Sequence, residues 1–364
     1  MLNGLKIIDF TNYLPGPYAT LRLAELGAEI IKVEPPEGDP ARHTGLSKQG
    51  NGLVFLANNR QKKSIILNLK EKEGYDNALK LIANADVVLE SFRPGVMEKL
   101  GLGYEAVQKV KPDIVYCSIS GYGQKGLLSK LGNHDLNYMA LSGVLAQFKD
   151  KGGKPVHPSI TVADYLGGFA ANERILAGLV SRALTGKGSY HSISITDQLV
   201  SLLGNHVMVE KETGAGNGIN VLNGSIVSYA LYETSDGRFM SIGALEPKFW
   251  TNFCRAQGRE EWIQGHFSTT DESNPVFQEL TALFKSITFY EWIAFSQKVD
   301  CCLAPVLEIG ELNNNPYFRE KELIFPSSWG DYQVKMHSDL EQESIAPPPQ
   351  KNEHKDEILN NILI

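Results

Sequence analysis

The chain has 364 residues, 42% of them hydrophobic, and a formal net charge of -7; this length exceeds what one compact core holds and predicts two lobes. The acidic balance excludes nucleic acid or an anionic membrane as a general partner, because both require a basic face. Few cysteines (Cys117, Cys254 and the adjacent Cys301 and Cys302), no long apolar run and no signal-like start predict a reduced cytoplasmic protein that does not span a membrane.

In chain order, LKIIDF (Leu5 to Phe10) reads as a buried strand, Tyr18 to Leu26 as a helix stopped at Gly27, and AEIIKVE as a second strand. That succession predicts a right-handed parallel crossover opening an α/β sheet of nucleotide-binding type. No GxGxxG follows the first strand, so a dinucleotide site loses its main support. The basic run NNRQKKS, with Arg60, Lys62 and Lys63, precedes a third strand, SIILNL. Such a run either holds phosphate or forms a solvated face. KEGYDNALKLIANA reads as a helix and DVVLES as a strand, after which Arg93 stands at the carboxyl end, the ligand side of an open α/β sheet.

DIVYCSIS is the next strand, and its exit turn GYGQKG either brings backbone N–H groups to a ligand oxygen or is an ordinary glycine turn. His134 lies in GNHDLNYMALSGVL, and Asp164 stands at or near the N-cap of a long helix, TVADYLGGFAANERILAGLVSRAL. Unaided, the imidazole reads as a structural hydrogen-bonder and the carboxylate as a cap, although capping does not exclude chemistry. TGKGSYHSISI adds a strand, and ETGAGNGINVLNGS reads as the crossing to a second lobe. A hairpin follows around Ser235-Asp236-Gly237, then Glu246 before Pro247, helical spacing to about Val299, and a return strand, DCCLAPVLEIGEL. The last forty residues, polar and proline-rich, predict an extended, lightly packed tail. The expected division is a large α/β domain over 1–212, a small α+β domain with its linker over 213–310, and a return segment with tail over 311–364.

Taken together, GLKIIDFTNYLPGPYATLRLAELGAEIIKVEPPEGDPAR, NNRQKKSIILNLK, ESFRPGVMEKLGLGY, TGKGSYHSISI and DCCLAPV resemble the class III CoA-transferase family, which includes the α-methylacyl-CoA racemases. The resemblance implies a large open-sheet domain with a smaller one, in an interlocked homodimer whose sites combine the large lobe of one subunit with the small lobe of the other. Racemases of the family carry a histidine in GHDxNY and a glutamate in GAxEPxF; this chain reads GNHDLNY and GALEPKF, with Asn133 between glycine and histidine. By resemblance His134 and Asp164 are then paired bases, supported by Glu246. Coenzyme A, part of the substrate and not a resident cofactor, would be met by Arg42, Arg60, Arg93 and Tyr138, and less directly by Lys70. No metal is implied. The expected activity is racemisation of 2-methyl-branched acyl-CoA; the alternative is a CoA-transferase with Asp164 as nucleophile.

Overall fold

Six short runs of buried sequence form one parallel sheet in the computed structural model, which describes residues 1–150, 152–339 and 345–362. The strands are β1 (Lys6–Asp9), β2 (Glu29–Glu34), β3 (Lys62–Ile66), β4 (Val87–Glu90), β5 (Val115–Ser120) and β6 (Ser189–Ser194). Their order is β3-β2-β1-β4-β5-β6, every neighbouring pair parallel. The chain winds outward from β1 to β3 and then steps back beside β1 to build β4 to β6. The carboxyl ends of β1 and β4 therefore diverge into oppositely directed crossovers, the switch point at which open α/β sheets hold ligands.

The crossovers are helical: α1 (Pro15–Glu25), α2 (Lys72–Ala83), α3 (Tyr104–Val110), α4 (Asp135–Ser142) and α5 (Val162–Thr185), with α6 (Ile195–Ser201) after β6. Ile8, Ile31, Val88 and Tyr116 of the sheet share an apolar cluster with Leu81 and Ile82 of α2 and Val107 of α3. Each such side chain contributes about 1.5–3 kcal/mol on burial. Helix α5 comes unusually close to α1. A Cβ on Gly168 would stand 2.7 Å from the Pro15 carbonyl oxygen, and one on Gly167 would stand 2.9 Å from Ile195 Cγ1. The glycine pair thus seats the first turn of α5, which carries Asp164, against the turns leaving β1 and β6.

The chain forms two compact units, Met1–Leu202 with Glu320–Ile364, and Leu203–Arg319. Helix α7 (Gly204–Thr213) opens the second unit, so the glycine-rich run read as a crossing follows this helix. The unit holds the hairpin of β7 (Tyr229–Glu233) and β8 (Phe239–Gly243), with β9 (Leu303–Pro305) antiparallel to β8. Helices α8 (Pro247–Ala256), α9 (Pro275–Ser286) and α10 (Phe289–Ser296) supply Trp250, Phe253, Phe284 and Trp292 to its core. The return strand is only three residues long, and a helical turn, Ile309–Leu312, occupies what reads in sequence as its continuation.

The predicted tail is corrected. Residues 340–344 and 363–364 lie outside the described residues; the tail joins the large unit as expected, but it is anchored by regular elements and not extended throughout. Ile324–Pro326 and Tyr332–Val334 form a hairpin, and α11 (Lys355–Ile362) buries Ile358 in the cluster beneath the sheet. The Ile66 N–H donates to Asn352 Oδ1 at 2.8 Å, and the His354 N–H donates to the Ser64 carbonyl at 3.0 Å. The outer edge of β3 is covered by these residues, which removes an open strand edge.

Candidate active site

A cavity of about 630 Å³ opens at the switch point. Its wall comes from the turns leaving four parallel strands: Asn12 to Pro15 after β1, Ser91 to Pro94 after β4, Ser120 and Gly121 at β5, and Ile195 after β6. His134, Tyr138 and Asp164 complete it, and Arg93 stands on its rim. Tyr13, in the β1 turn, holds a left-handed φ of 63°, and its N–H donates to Asp39 Oδ1 at 3.1 Å. Asp39 is itself in a buried ion pair with Lys32 at 2.7 Å. Charge locked under the turn thus fixes a backbone conformation that a tyrosine seldom adopts.

His134 is the N-cap of α4 and is exposed; its backbone N–H donates to Asn137 Oδ1 at 3.2 Å. The residue before it, Asn133, donates through its side chain to the Tyr122 hydroxyl and accepts at its carbonyl from the Tyr138 hydroxyl, both at 2.5 Å. Asn133 therefore braces the turn that presents the imidazole. Asp164 is the third residue of α5, whose N-cap is Thr161, so the carboxylate does not cap its own helix. The cap comes from Asp135, whose Oδ1 accepts from the Asp164 N–H at 3.0 Å. Sequence reading missed Asp135; its signal is an acidic residue in the first turn of the helix that His134 caps.

Among the described residues no cation pairs with Asp164, and burial, with a smaller contribution from the Asp135 charge, pushes its carboxyl up from 3.8 to about 7. Burial and the Asp164 charge likewise push Tyr138 up to about 12. The first-turn N–H groups of α5, a natural place for oxyanion donors, are occupied: Val162 and Tyr165 donate to backbone carbonyls, and Ala163 and Asp164 to Asp135. On the cavity wall the buried Ser120 hydroxyl has no hydrogen-bond partner among the described residues.

Of the coenzyme A contacts the resemblance implies, Arg93 and Tyr138 line the cavity, whereas Arg42, Arg60 and Lys70 do not. Arg42 is buried: its guanidinium forks onto Glu34 at 2.7 Å, donates to Asn51 and the Pro349 carbonyl, and lies over the Phe55 ring. Arg60 is fully buried against Glu25, Gln333 and the Val334 carbonyl. Arg42 is 2% and Arg60 0% exposed, so in this structure both act as internal ties and not as the ligand contacts the resemblance implies. Lys62 is buried beside Asp9, with burial pushing its ammonium down to about 7, and Lys63 bridges Glu29 and Glu357. Arg60→Met is expected to lower folding stability by about 3–5 kcal/mol by stranding Glu25, while coenzyme A affinity of the folded variant stays unchanged; denaturant melts and ligand titration check both. Lys70 is exposed, and Glu246 is the exposed N-cap of α8 in the second unit.

A profile of CoA-transferase family III matches residues 2–355. The chain belongs to CoA-transferase family III. Family III also accounts for the relatives. Human alpha-methylacyl-CoA racemase is 30% identical over 98% of this chain and 92% of its own. Mouse succinyl-CoA:glutarate CoA-transferase is 31% identical over 100% of this chain and 86% of its own. The crystal structure of a CAIB/BAIF family protein from Brucella suis superposes with a TM-score of 0.86 at 27% identity over 99% of both chains. As a family III member, this chain is an enzyme of the CoA-transferase and racemase type. Among the described residues no helix is long and apolar enough to cross a membrane.

Proposed function

We propose that this enzyme inverts the α carbon of a 2-methyl-branched acyl-CoA, with His134 and Asp164 as the two bases. The observation that carries the reading is that both side chains line one cavity and that Asp164, with no cation beside it among the described residues, is pushed up to about 7. A carboxyl poised there is present in both protonation states at neutral pH, which suits a group that must take up and return a proton. One base takes the α hydrogen as its proton, the C–H electron pair forms the Cα=C bond while the carbonyl π pair moves onto the thioester oxygen as an enolate, and the protonated partner returns a proton to the opposite face of the carbon as the pairs move back. The two bases end with exchanged protonation, and turnover in the reverse direction resets them. The Ser120 hydroxyl is our candidate donor to the enolate oxygen, whose stabilisation makes so weak an acid reactive. Arg93 and Tyr138 would meet coenzyme A. In this proposal a second copy of the chain supplies Glu246 to orient the imidazole.

The relatives carry transferase names at similar identity, so the test must separate the two chemistries. Single-enantiomer 2-methylacyl-CoA incubated in heavy water is expected to gain deuterium at the α carbon and lose optical purity. Absence of exchange, combined with CoA passing to an added acid and a hydroxylamine-trapped adduct on Asp164, would establish transfer instead.

A further inference from the structure

Glu90 ends β4 at the centre of the sheet, where it is 3% exposed and no step above uses it. Its Oε2 accepts from the Phe92 N–H at 2.8 Å, two residues ahead, and its carboxyl is bonded to the hydroxyl of Ser118, its neighbour in register on β5. The Tyr190 hydroxyl of β6 reaches the same Ser118 oxygen at 3.4 Å. The titratable groups in electrostatic contact with Glu90 are Glu98, Tyr116, Cys117 and Tyr190, with Arg174 beyond Cys117. Among the described residues no cation pairs with Glu90 directly, and burial, reinforced by Glu98, lifts its carboxyl to about 7. A buried carboxyl without a counter-charge is costly to keep. What it holds is the rim of the active-site cavity. Ser91, Phe92 and Arg93 follow it directly on the wall, and the Ser91 hydroxyl accepts from the Asn12 N–H of the β1 turn at 3.3 Å. Arg93 in turn lies over the backbone that leads to the imidazole: a Cβ on Gly132 would collide with Arg93 Nη2.

We propose that Glu90 is a positioning residue that, by fixing the Phe92 N–H, holds Arg93 beside the His134 turn to receive an anionic group of coenzyme A. The inference rests on the acyl-CoA reading of this cavity. Glu90 touches no reacting atom and acts through Arg93, so it governs binding more than turnover.

The test measures free coenzyme A binding by calorimetry, with KM and kcat for an acyl-CoA alongside. Glu90→Met, which removes the acceptor, is expected to weaken coenzyme A binding and raise KM about 10-fold with kcat within about 3-fold. Glu90→Gln, whose amide oxygen still accepts from Phe92, is expected to bind like the parent. Glu90→Asp, one methylene short yet still charged, is expected to weaken binding by about 3-fold or more even if the methionine variant does not fold. Arg93→Met is expected to cost as much as Glu90→Met, and the double variant no more than Arg93→Met alone. Parent-like binding by Glu90→Asp, fully additive losses in the double variant, or failure of Glu90→Gln as severe as that of Glu90→Met would each overturn the proposal. If the parent itself does not bind coenzyme A, the acyl-CoA reading falls and takes this inference with it, an outcome distinct from those three.

Discussion

Asp164→Asn is expected to lower α-proton exchange by about 10³-fold or more and, at the same time, to make the protein more stable above pH 7. The first effect follows from removing a base that lines the cavity. The second follows from linkage. The native carboxyl titrates near 7 and the unfolded one near 3.8, so between those values the native state binds more protons. Stability therefore falls as pH rises from about 4 to about 7, and above 7 the buried charge weighs on the fold in full. Asparagine carries no charge at any pH and escapes that penalty. A displacement of this size sets a ceiling of about 4 kcal/mol. Because the carboxyl faces an open cavity, we expect about 1–2 kcal/mol, or a few degrees in melting temperature, at pH 8. At pH 4 the two proteins should melt together. A variant that is inactive yet no more stable at pH 8 would show that the carboxyl is solvated after all.

His134→Asn is expected to separate exchange from inversion. With one base gone, racemisation should drop by about 10²–10⁴-fold. Deuterium should still enter the one enantiomer whose α hydrogen faces Asp164, and the opposite enantiomer should stay unlabelled. The imidazole is exposed, and asparagine is itself a favoured N-cap for α4, so folding should be little affected. If the variant instead retains full CoA transfer between acids, the histidine is a structural element and Asp164 is acting as a nucleophile. Chiral analysis of recovered thioester, with mass spectrometry for label, reads both outcomes.

The sheet was legible because its strands are short apolar runs punctuated by glycine and proline, and because buried parallel strands leave that signature without any knowledge of neighbours. The location of the cavity was half legible. Arg93 after β4 was readable as a residue at the ligand end of a strand, but the strand order that makes β1 and β4 adjacent is a non-local property. The basic cluster misled for the same reason. Arg60 and Lys62 look like a phosphate patch until Glu25, Asp9 and Gln333 are seen closing around them, and all three partners lie far away in sequence. Composition failed for the C-terminal segment, because a proline-rich stretch can still supply side-chain acceptors to a strand edge and one isoleucine to a core. Asp135 was overshadowed by the histidine beside it. Its role depends on a helix that begins well downstream.

The covering of β3 has a bearing on how the protein is made. Ser64 and Ile66 leave the ribosome early, while Asn352 and His354, which satisfy them, are separated from them by 286 and 290 positions. Throughout synthesis the nascent large unit presents a bare strand able to recruit a neighbouring chain on the same messenger. Stop codons or proteolytic nicks ahead of Asn352 should therefore yield aggregates and not merely a weakened enzyme, and solubility in cells should depend on how quickly the last helix docks.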